Sequence, residues 1–166
     1  AEYAPANGRM RLIAGLKNTL IIDESYNSSP AALSPALRTL KEVRTAGRKI
    51  AVLGDMLELG QFSVQAHEKA GAQVAESADV LITAGVRARG FAAGARASGM
   101  PEERIFRHED ALAAGNELEA MLKDGDIALV KGSQSMRMER AVEEVMARPE
   151  DAPTLLVRQE SEWREQ

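Results

Sequence analysis

Hydrophobic positions along the chain follow two alternating patterns. Short apolar runs rich in β-branched residues predict strands over 19–23, 49–53, 79–83 and 126–130. A weaker run at 104–106 allows one more strand, and 12–14 could pair as a hairpin with 19–23 through a turn at Gly15. Between the runs, apolar residues recur at three- and four-residue steps, which predicts helices over 36–43, 64–75, 88–97, 111–122 and 136–146.

The alternation of strands and helices determines the expected architecture. Strands joined by helical crossovers form a parallel sheet with helices on both faces. We therefore predict an α/β fold, a three-layer α/β/α Rossmann-like sandwich with a mostly parallel sheet. The expected domain covers 1–148. It is followed by a tail, residues 149–166, that forms a short strand or a docked segment with a frayed end.

Two Ser-Pro pairs offer alternative starts for the first long helix. Ser29-Pro30 and Ser34-Pro35 each place a capping hydroxyl before a proline at the first helical position. We favour the start at Ser29, with Pro35 tolerated early in the helix.

Composition excludes several classes of protein. The 166 residues include no cysteine and only His67 and His108, which excludes disulfides, Cys-ligated metals, thiol nucleophiles and multi-histidine metal sites. The net charge of -4 and the 4% aromatic content argue against broad nucleic-acid binding. No apolar stretch approaches the roughly 18 residues of a membrane span, and no secretion signal opens the sequence. We expect a cytoplasmic protein without membrane or nucleic-acid partners.

Polar and glycine residues follow the predicted strands at their carboxyl ends, where a parallel α/β sheet forms its ligand crevice. These loops are residues 24–29, 54–60, 84–87 and 131–135. Lys131, Gly132 and Ser133 combine a cation, a glycine that permits close approach and a following helix start, which favours a carboxylate or phosphate. The alternative is a plain turn with a solvated lysine and a capping serine.

The loop after the first of these strands carries a second set of candidate groups. Asp23 and Glu24 could accept ribose hydroxyls, while Tyr26 and Asn27 could hold a base by stacking and amide hydrogen bonds. The alternative is a turn held by its own side chains.

Four further positions are weaker candidates for a binding site. Asp55 and Glu58, with His67 on the next helix, could direct carboxylates at an ammonium group or a hydrated Mg²⁺, although a lone helical histidine is more often structural. Arg9 could reach a phosphate, but such an arginine is usually solvated. The sequence contains no phosphate loop, dinucleotide fingerprint or nucleophile elbow. We therefore predict binding groups without a catalytic set or a metal site of the chain's own.

Several runs occur together in one order that extends to about Met146: Gly8-Arg9-Met10, residues 22–30, residues 52–60 with His67, residues 129–133, and Met136-Arg137-Met138-Glu139. This ordered set resembles the C-terminal domain of the Mur ligase family. The resemblance implies part of an ATP-dependent amide ligase of peptidoglycan synthesis, which joins D-Ala-D-Ala to UDP-N-acetylmuramoyl-tripeptide through an acyl phosphate. ATP and Mg²⁺ would be bound mainly by a central domain, and the UDP group by an N-terminal domain. Because neither domain is in this sequence, we expect the chain alone to be inactive.

The resemblance also implies roles for single residues on the nucleotide side. Arg9 matches an arginine that reaches ATP. Asp23, Glu24, Tyr26 and Asn27 lie in the matched loop that contacts the nucleotide, with Glu24 at a position where aspartate is common.

On the substrate side, Lys131 and Ser133 match a loop that faces the amino substrate, whose carboxylate they would bind. Asp55 and Glu58 lie in a matched motif and are expected near that substrate. The chain also departs from the family pattern at Arg11, Ser29 and Gln134, where an acid or amide, asparagine and arginine are usual.

Two other functions stay open. One is a stand-alone nucleotide- or amino-acid-binding module, and the other is a Mur-type ligase that adds a different amino acid.

Overall fold

A six-stranded sheet forms the centre of the computed structural model, which describes residues 5–166. Residues 1–4, where the expected domain begins, lie outside the described residues. The strand order is β1-β2-β6-β3-β4-β5, with β1 antiparallel to β2 and all other neighbours parallel. The strands are β1 Arg11–Gly15, β2 Thr19–Glu24, β3 Lys49–Gly54, β4 Val80–Ala84, β5 Ile105–His108 and β6 Ile127–Lys131.

Helices cover both faces of this sheet. They are α1 Pro30–Glu42, α2 Ser63–Ser77, α3 Arg89–Ala97, α4 Ala111–Met121, α5 Glu139–Val145, α6 Ala152–Leu155 and α7 Ser161–Arg164. Among residues 5–166, no helix is both long and apolar enough to cross a membrane.

Alternate residues of the central strands supply two separate cores. Ile50 and Val52 of β3 belong to the core under α4 and α5, whereas Ala51 and Leu53 belong to the core under α1, α2 and α3. Successive strand side chains point to opposite faces, so a strand buried on both faces is apolar throughout. This confirms the predicted α/β fold, including the weaker strand and the hairpin.

Ser29 is the N-cap residue of α1, as predicted. Its Oγ accepts a hydrogen bond from Ala32 N at 3.2 Å, Pro30 occupies the first helical position, and Pro35 lies inside the helix. The cap satisfies an amide that has no partner within the helix.

The prediction of one helix over 136–146 is wrong at its start. A 3₁₀ turn, Gln134–Met136, is followed by Arg137 with a left-handed backbone (φ 55°), and α5 begins only at Glu139. A left-handed residue cannot continue a right-handed hydrogen-bond ladder, so the periodic pattern spans a 3₁₀ turn and a separate helix.

The tail packs onto the domain. All of 149–166 is described, and it contains no strand: a 3₁₀ turn, Pro149–Asp151, precedes the single-turn helices α6 and α7. Ala152, Leu156 and Arg158 are buried. The tail is therefore a docked segment, and the alternative of a short strand is wrong.

Candidate functional site

The polar loops predicted from the sequence meet at one edge of the sheet. Strand β6 lies between β2 and β3, and Lys131 is in register with Glu24 on one side and Leu53 on the other. The loops that leave these three strands therefore lie side by side, where a parallel sheet forms its ligand crevice.

A small pocket of about 190 Å³ opens beside the end of β2. The Arg9 guanidinium lies over the Tyr26 ring, 4.1 Å from its centroid, and Tyr26 N donates to Gly8 O at 3.0 Å. Lys131 Nζ donates to Asn27 O at 2.8 Å and lies 3.8 Å from Glu24 Oε1. The structure thus brings Arg9, Glu24, Tyr26, Asn27 and Lys131 into one pocket.

Burial and charge together set the ionisation of this pocket. Burial raises the pKa of Glu24, and the nearby Lys131 and Arg9 oppose that rise only in part. Burial lowers the pKa of Lys131, Glu24 opposes this change, and Arg9 adds to it. An anion entering beside the two cations would favour the charged form of Lys131, so the pocket suits a phosphate or a carboxylate.

A larger cavity of about 690 Å³ lies on the other side of residues 27–29. Its wall carries amide, hydroxyl and guanidinium groups, and the lining residues are Asn27, Ser28, Ser29, Leu57, Glu58, Ser133, Gln134, Ser135, Arg137, Arg140, Trp163 and Gln166. Both cavities share Asn27, Ser28 and Ser29. A ligand in one is therefore separated from a ligand in the other by a single loop.

Ser133, in the loop after β6, holds that loop to the loop after β3, and both loops line the large cavity. Its Oγ accepts from Leu57 N at 2.8 Å, and its own N donates to Asp55 O at 2.9 Å. Glu58 is exposed with a left-handed backbone (φ 64°) and lines the same cavity. Lys131, two residues before Ser133, lines the small pocket instead, so the two residues expected to bind one carboxylate face different cavities.

The Asp55 carboxylate bonds to the start of α3 and lines neither cavity. Oδ1 accepts from Ala88 N at 2.7 Å, and Oδ2 lies 3.6 Å from Arg87 Nη1. A Cβ at Gly85 would lie 2.4 Å from Oδ1, so the chain has room for Asp55 only because residue 85 is glycine. Asp55 holds the loop after β3 to the loop after β4.

His67 is a structural residue. Nε2 accepts from Met56 N at 3.0 Å, and Nδ1 donates to Ser63 O at 2.7 Å, which together define the neutral tautomer. The ring is fully buried and lies 4.7 Å from the ring of Phe91. His108, on the opposite side of the sheet, lies 3.1 Å from Glu117.

Asp23 lies behind the nucleotide-side loop and lines neither cavity. Its Oδ1 accepts from Ser25 N and Oγ at 3.1 and 2.5 Å, whereas Oδ2 has no partner among the described residues. Burial raises the pKa of this carboxyl to about 6, against the lowering effect of the Ser25 bonds, and Glu139 raises it further.

The sequence interpretation did not name Arg137, Arg140 or Trp163 as binding residues. All three line the large cavity, and the Arg137 guanidinium lies 5.0 Å from the Trp163 ring centroid. The two arginines were assigned to an ordinary helix and Trp163 to the tail. The charged Arg137-Met138-Glu139-Arg140 run was the only local signal.

ATP and Mg²⁺ differ in how well this chain fits them. The cationic small pocket with an exposed aromatic face suits part of a nucleotide. Among residues 5–166, no three His, Asp or Glu side chains are grouped to hold a metal ion.

The fold is an α/β domain of the doubly wound class, with the small pocket and the large cavity at the carboxyl ends of its central strands. The chain belongs to the family described as Mur ligase, glutamate ligase domain, whose model matches residues 8–134. This confirms the resemblance seen in the sequence.

Relatives with this domain are ligases about three times as long. The chain is 28% identical over 142 residues to the UDP-N-acetylmuramoyl-tripeptide–D-alanyl-D-alanine ligase of Bacillus subtilis, covering 85% of this chain and 31% of that enzyme. It is 32% identical over 143 residues to the Escherichia coli ligase of the same name, covering 86% and 30%. The chain therefore spans less than a third of the length of these two relatives.

Solved structures show the same domain. The MurF ligase of Thermotoga maritima, in complex with ADP, matches with a TM-score of 0.70 and 28% identity over 87% of this chain and 31% of that one. A MurF of Acinetobacter baumannii matches with a TM-score of 0.72 and 26% identity, covering 85% and 31%.

Proposed function

We propose that this chain is the C-terminal domain of a cytoplasmic, ATP-dependent ligase that joins D-Ala-D-Ala to UDP-N-acetylmuramoyl-tripeptide. The observation that carries this proposal is the pair of cavities on either side of residues 27–29. A ligase must hold a nucleotide and an amino substrate close together, and one shared loop provides that proximity.

The small pocket takes part of the nucleotide. Arg9 and Lys131 supply positive charge toward it, and the Tyr26 ring offers a partly exposed face for stacking. The ADP complex of the related Thermotoga enzyme supports a nucleotide ligand for this type of protein.

The large cavity takes the dipeptide. Its volume of about 690 Å³ lies within the roughly 300–1,000 Å³ typical of small-molecule sites. Ser133, Gln134 and Asn27 offer hydrogen bonds, while Arg137 and Arg140 supply positive charge for a carboxylate.

The proposed reaction has two steps. The tripeptide carboxylate attacks the γ-phosphorus of ATP, which forms an acyl phosphate and releases ADP. The amine of D-Ala-D-Ala then attacks the acyl carbon, an amide bond forms, phosphate leaves and the amine loses a proton. The residues of this chain contribute positioning and charge neutralisation, so kcat depends on domain closure. The central and N-terminal domains supply the phosphate loop, the Mg²⁺ ligands and the UDP site.

Steady-state kinetics of the full-length ligase test this assignment. Replacement of Arg9 by Gln should raise KM for ATP about tenfold, the effect of one charge-assisted contact, and leave KM for D-Ala-D-Ala unchanged. The matched control, Arg148→Gln, removes an arginine that is exposed before the tail and should change neither constant.

Two results would contradict the proposal. The isolated 166-residue chain should form no product from ATP, tripeptide substrate and D-Ala-D-Ala, so turnover by this chain would show that it is not a fragment of the active site. Calorimetry that shows a preference of the full-length enzyme for a single amino acid over D-Ala-D-Ala would assign it to a different Mur-type ligase.

A further inference from the structure

A buried carboxylate joins the tail to the rest of the domain. Glu139, at the start of α5, is 1% exposed and accepts from Arg137 Nε at 2.6 Å. It also accepts from Arg158 of the tail, through Nε at 3.1 Å and through Nη2 at 2.7 Å. Glu139 thus pairs with two guanidinium groups, that of Arg137 just before α5 and that of Arg158 in the tail.

Arg158 also reaches the loop after β2. Its Nη2 donates to Ser25 O at 2.7 Å, and its Nη1 donates to Tyr26 O at 3.2 Å. The backbone that carries the Tyr26 ring is therefore bonded to a residue 132 positions later in the chain.

Both arginines that hold Glu139 have the same unusual backbone. Arg137 and Arg158 each have φ 55°, a left-handed conformation that residues other than glycine adopt only at an energetic cost. Such strain persists where surrounding bonds outweigh it. The bonds to Glu139, Ser25 and Tyr26 fulfil that condition at Arg158.

The tail supports the opposite wall of the small pocket as well. Asn7 Nδ2 donates to Thr154 O at 2.9 Å, and a Cβ at Gly8 would lie 2.8 Å from Val157 Cγ1. Gly8 in turn accepts from Tyr26 N, and the next residue, Arg9, covers the Tyr26 ring. The tail thus contacts both segments that form the Arg9–Tyr26 pair.

We propose that Arg158 is a positioning residue for the nucleotide pocket. It does not line that pocket; it holds the Ser25 and Tyr26 carbonyls in place and anchors the tail against Glu139. The tail lies beyond residues 8–134, which the family model matches. The inference rests on the proposed function, because it takes the small pocket to bind ATP.

The test is the kinetics of full-length ligases that carry Arg158→Gln, Arg158→Lys or Arg148→Gln. Arg158→Gln should raise KM for ATP about tenfold, since it removes charge-assisted bonds to a buried site. KM for D-Ala-D-Ala should change less. Arg158→Lys keeps the charge and should recover part of the loss, and Arg148→Gln should behave as wild type.

A second variant separates positioning from general loss of folding. Asn7→Ala removes a second hydrogen bond to the tail, together with the bond that Asn7 accepts from Arg11. It leaves no buried charge and should raise KM for ATP about threefold. Circular dichroism should show that it keeps its fold. If Arg158→Gln and Asn7→Ala leave KM for ATP at the wild-type value, or raise both KM values equally, the positioning role is refuted. An inactive wild-type enzyme would instead refute the proposed function.

Discussion

The buried carboxyl of Asp23 should contribute a stability that decreases as the pH rises. The carboxyl is fully buried at the end of β2, and burial raises its pKa from 3.8 to about 6. At ~1.4 kcal/mol per pKa unit, keeping Asp23 ionised in the folded protein costs about 3 kcal/mol at neutral pH. The groups that face it are Ser25, Glu139 and Arg158.

The direction of this pH dependence follows from whether the folded or the unfolded state holds the proton of Asp23. Between about pH 4 and pH 6, folded Asp23 stays protonated while the unfolded chain releases the proton. The folded state then binds more protons, so the free energy of unfolding decreases as pH rises and levels off above about pH 6. About 2 kcal/mol of the change should fall between pH 4 and pH 7.

Urea unfolding of wild type and Asp23→Asn at several pH values measures this contribution. Asparagine cannot ionise and keeps an acceptor for the Ser25 bonds, so the variant should gain stability relative to wild type by about 2 kcal/mol from pH 4 to pH 7. Subtracting the two curves cancels the contributions of other titrating groups.

Asp126→Asn is the matched control, because the contribution of Asp126 to stability should change with pH in the opposite direction. Burial would raise the pKa of Asp126, but hydrogen bonds from the Arg48 side chain and from the amides of Arg48 and Lys123 outweigh it and lower the pKa. The contribution of Asp126 is therefore present at neutral pH and lost in acid. If the curves of wild type and Asp23→Asn run parallel from pH 4 to pH 7, the argument from burial is wrong.

Three further predictions concern the packing and capping of the fold, and the same unfolding measurement tests them. Leu37→Ala, at a fully buried position of α1, should cost about 3 kcal/mol, and Leu12→Ala, 64% exposed, should cost less than about 0.5 kcal/mol; equal losses would contradict the assigned core. Gly71→Ala places a Cβ 2.1 Å from Phe91 O and should cost about 2 kcal/mol or more by forcing α2 and α3 apart; wild-type stability would show that the helices can separate freely. Ser29→Ala should cost about 1 kcal/mol and Ser29→Gly only a few tenths, and a reversed order would rule out the cap at α1.

The nucleotide-side residues could be predicted because they are close in sequence. Glu24, Tyr26 and Asn27 follow one strand, and a run of polar residues at a strand end already indicates a loop in the ligand crevice. Arg9 joins them through the β1–β2 hairpin, which was itself visible as two apolar runs around Gly15. These residues lie together in one pocket, as a shared binding site requires. That they bind a nucleotide stays a prediction.

The large cavity was harder to predict because distant segments form it. Arg137 and Trp163 meet through a bond from Arg137 Nη1 to Trp163 O at 2.9 Å. Helical periodicity assigned Arg137 to a regular helix, whereas its left-handed backbone turns the guanidinium toward Glu139 and the tail. No local pattern encodes a contact between segments that pack only after the sheet has formed.

The sequence by itself determined the order of strands and helices, the cap at Ser29 and the sheet edge at which polar loops collect. These features depend on residue periodicity and on neighbours a few positions away, which local sequence records directly. Only the tertiary structure decided that Lys131 lines the small pocket while Ser133 lines the larger cavity, and that the Asp55 and His67 side chains accept hydrogen bonds from the amides of Ala88 and Met56. It also decided the docking of the tail, because the Arg158 bonds to Ser25 and Tyr26 join residues more than 130 positions apart. Such pairing depends on the three-dimensional arrangement of buried charges, which no spacing along the chain specifies.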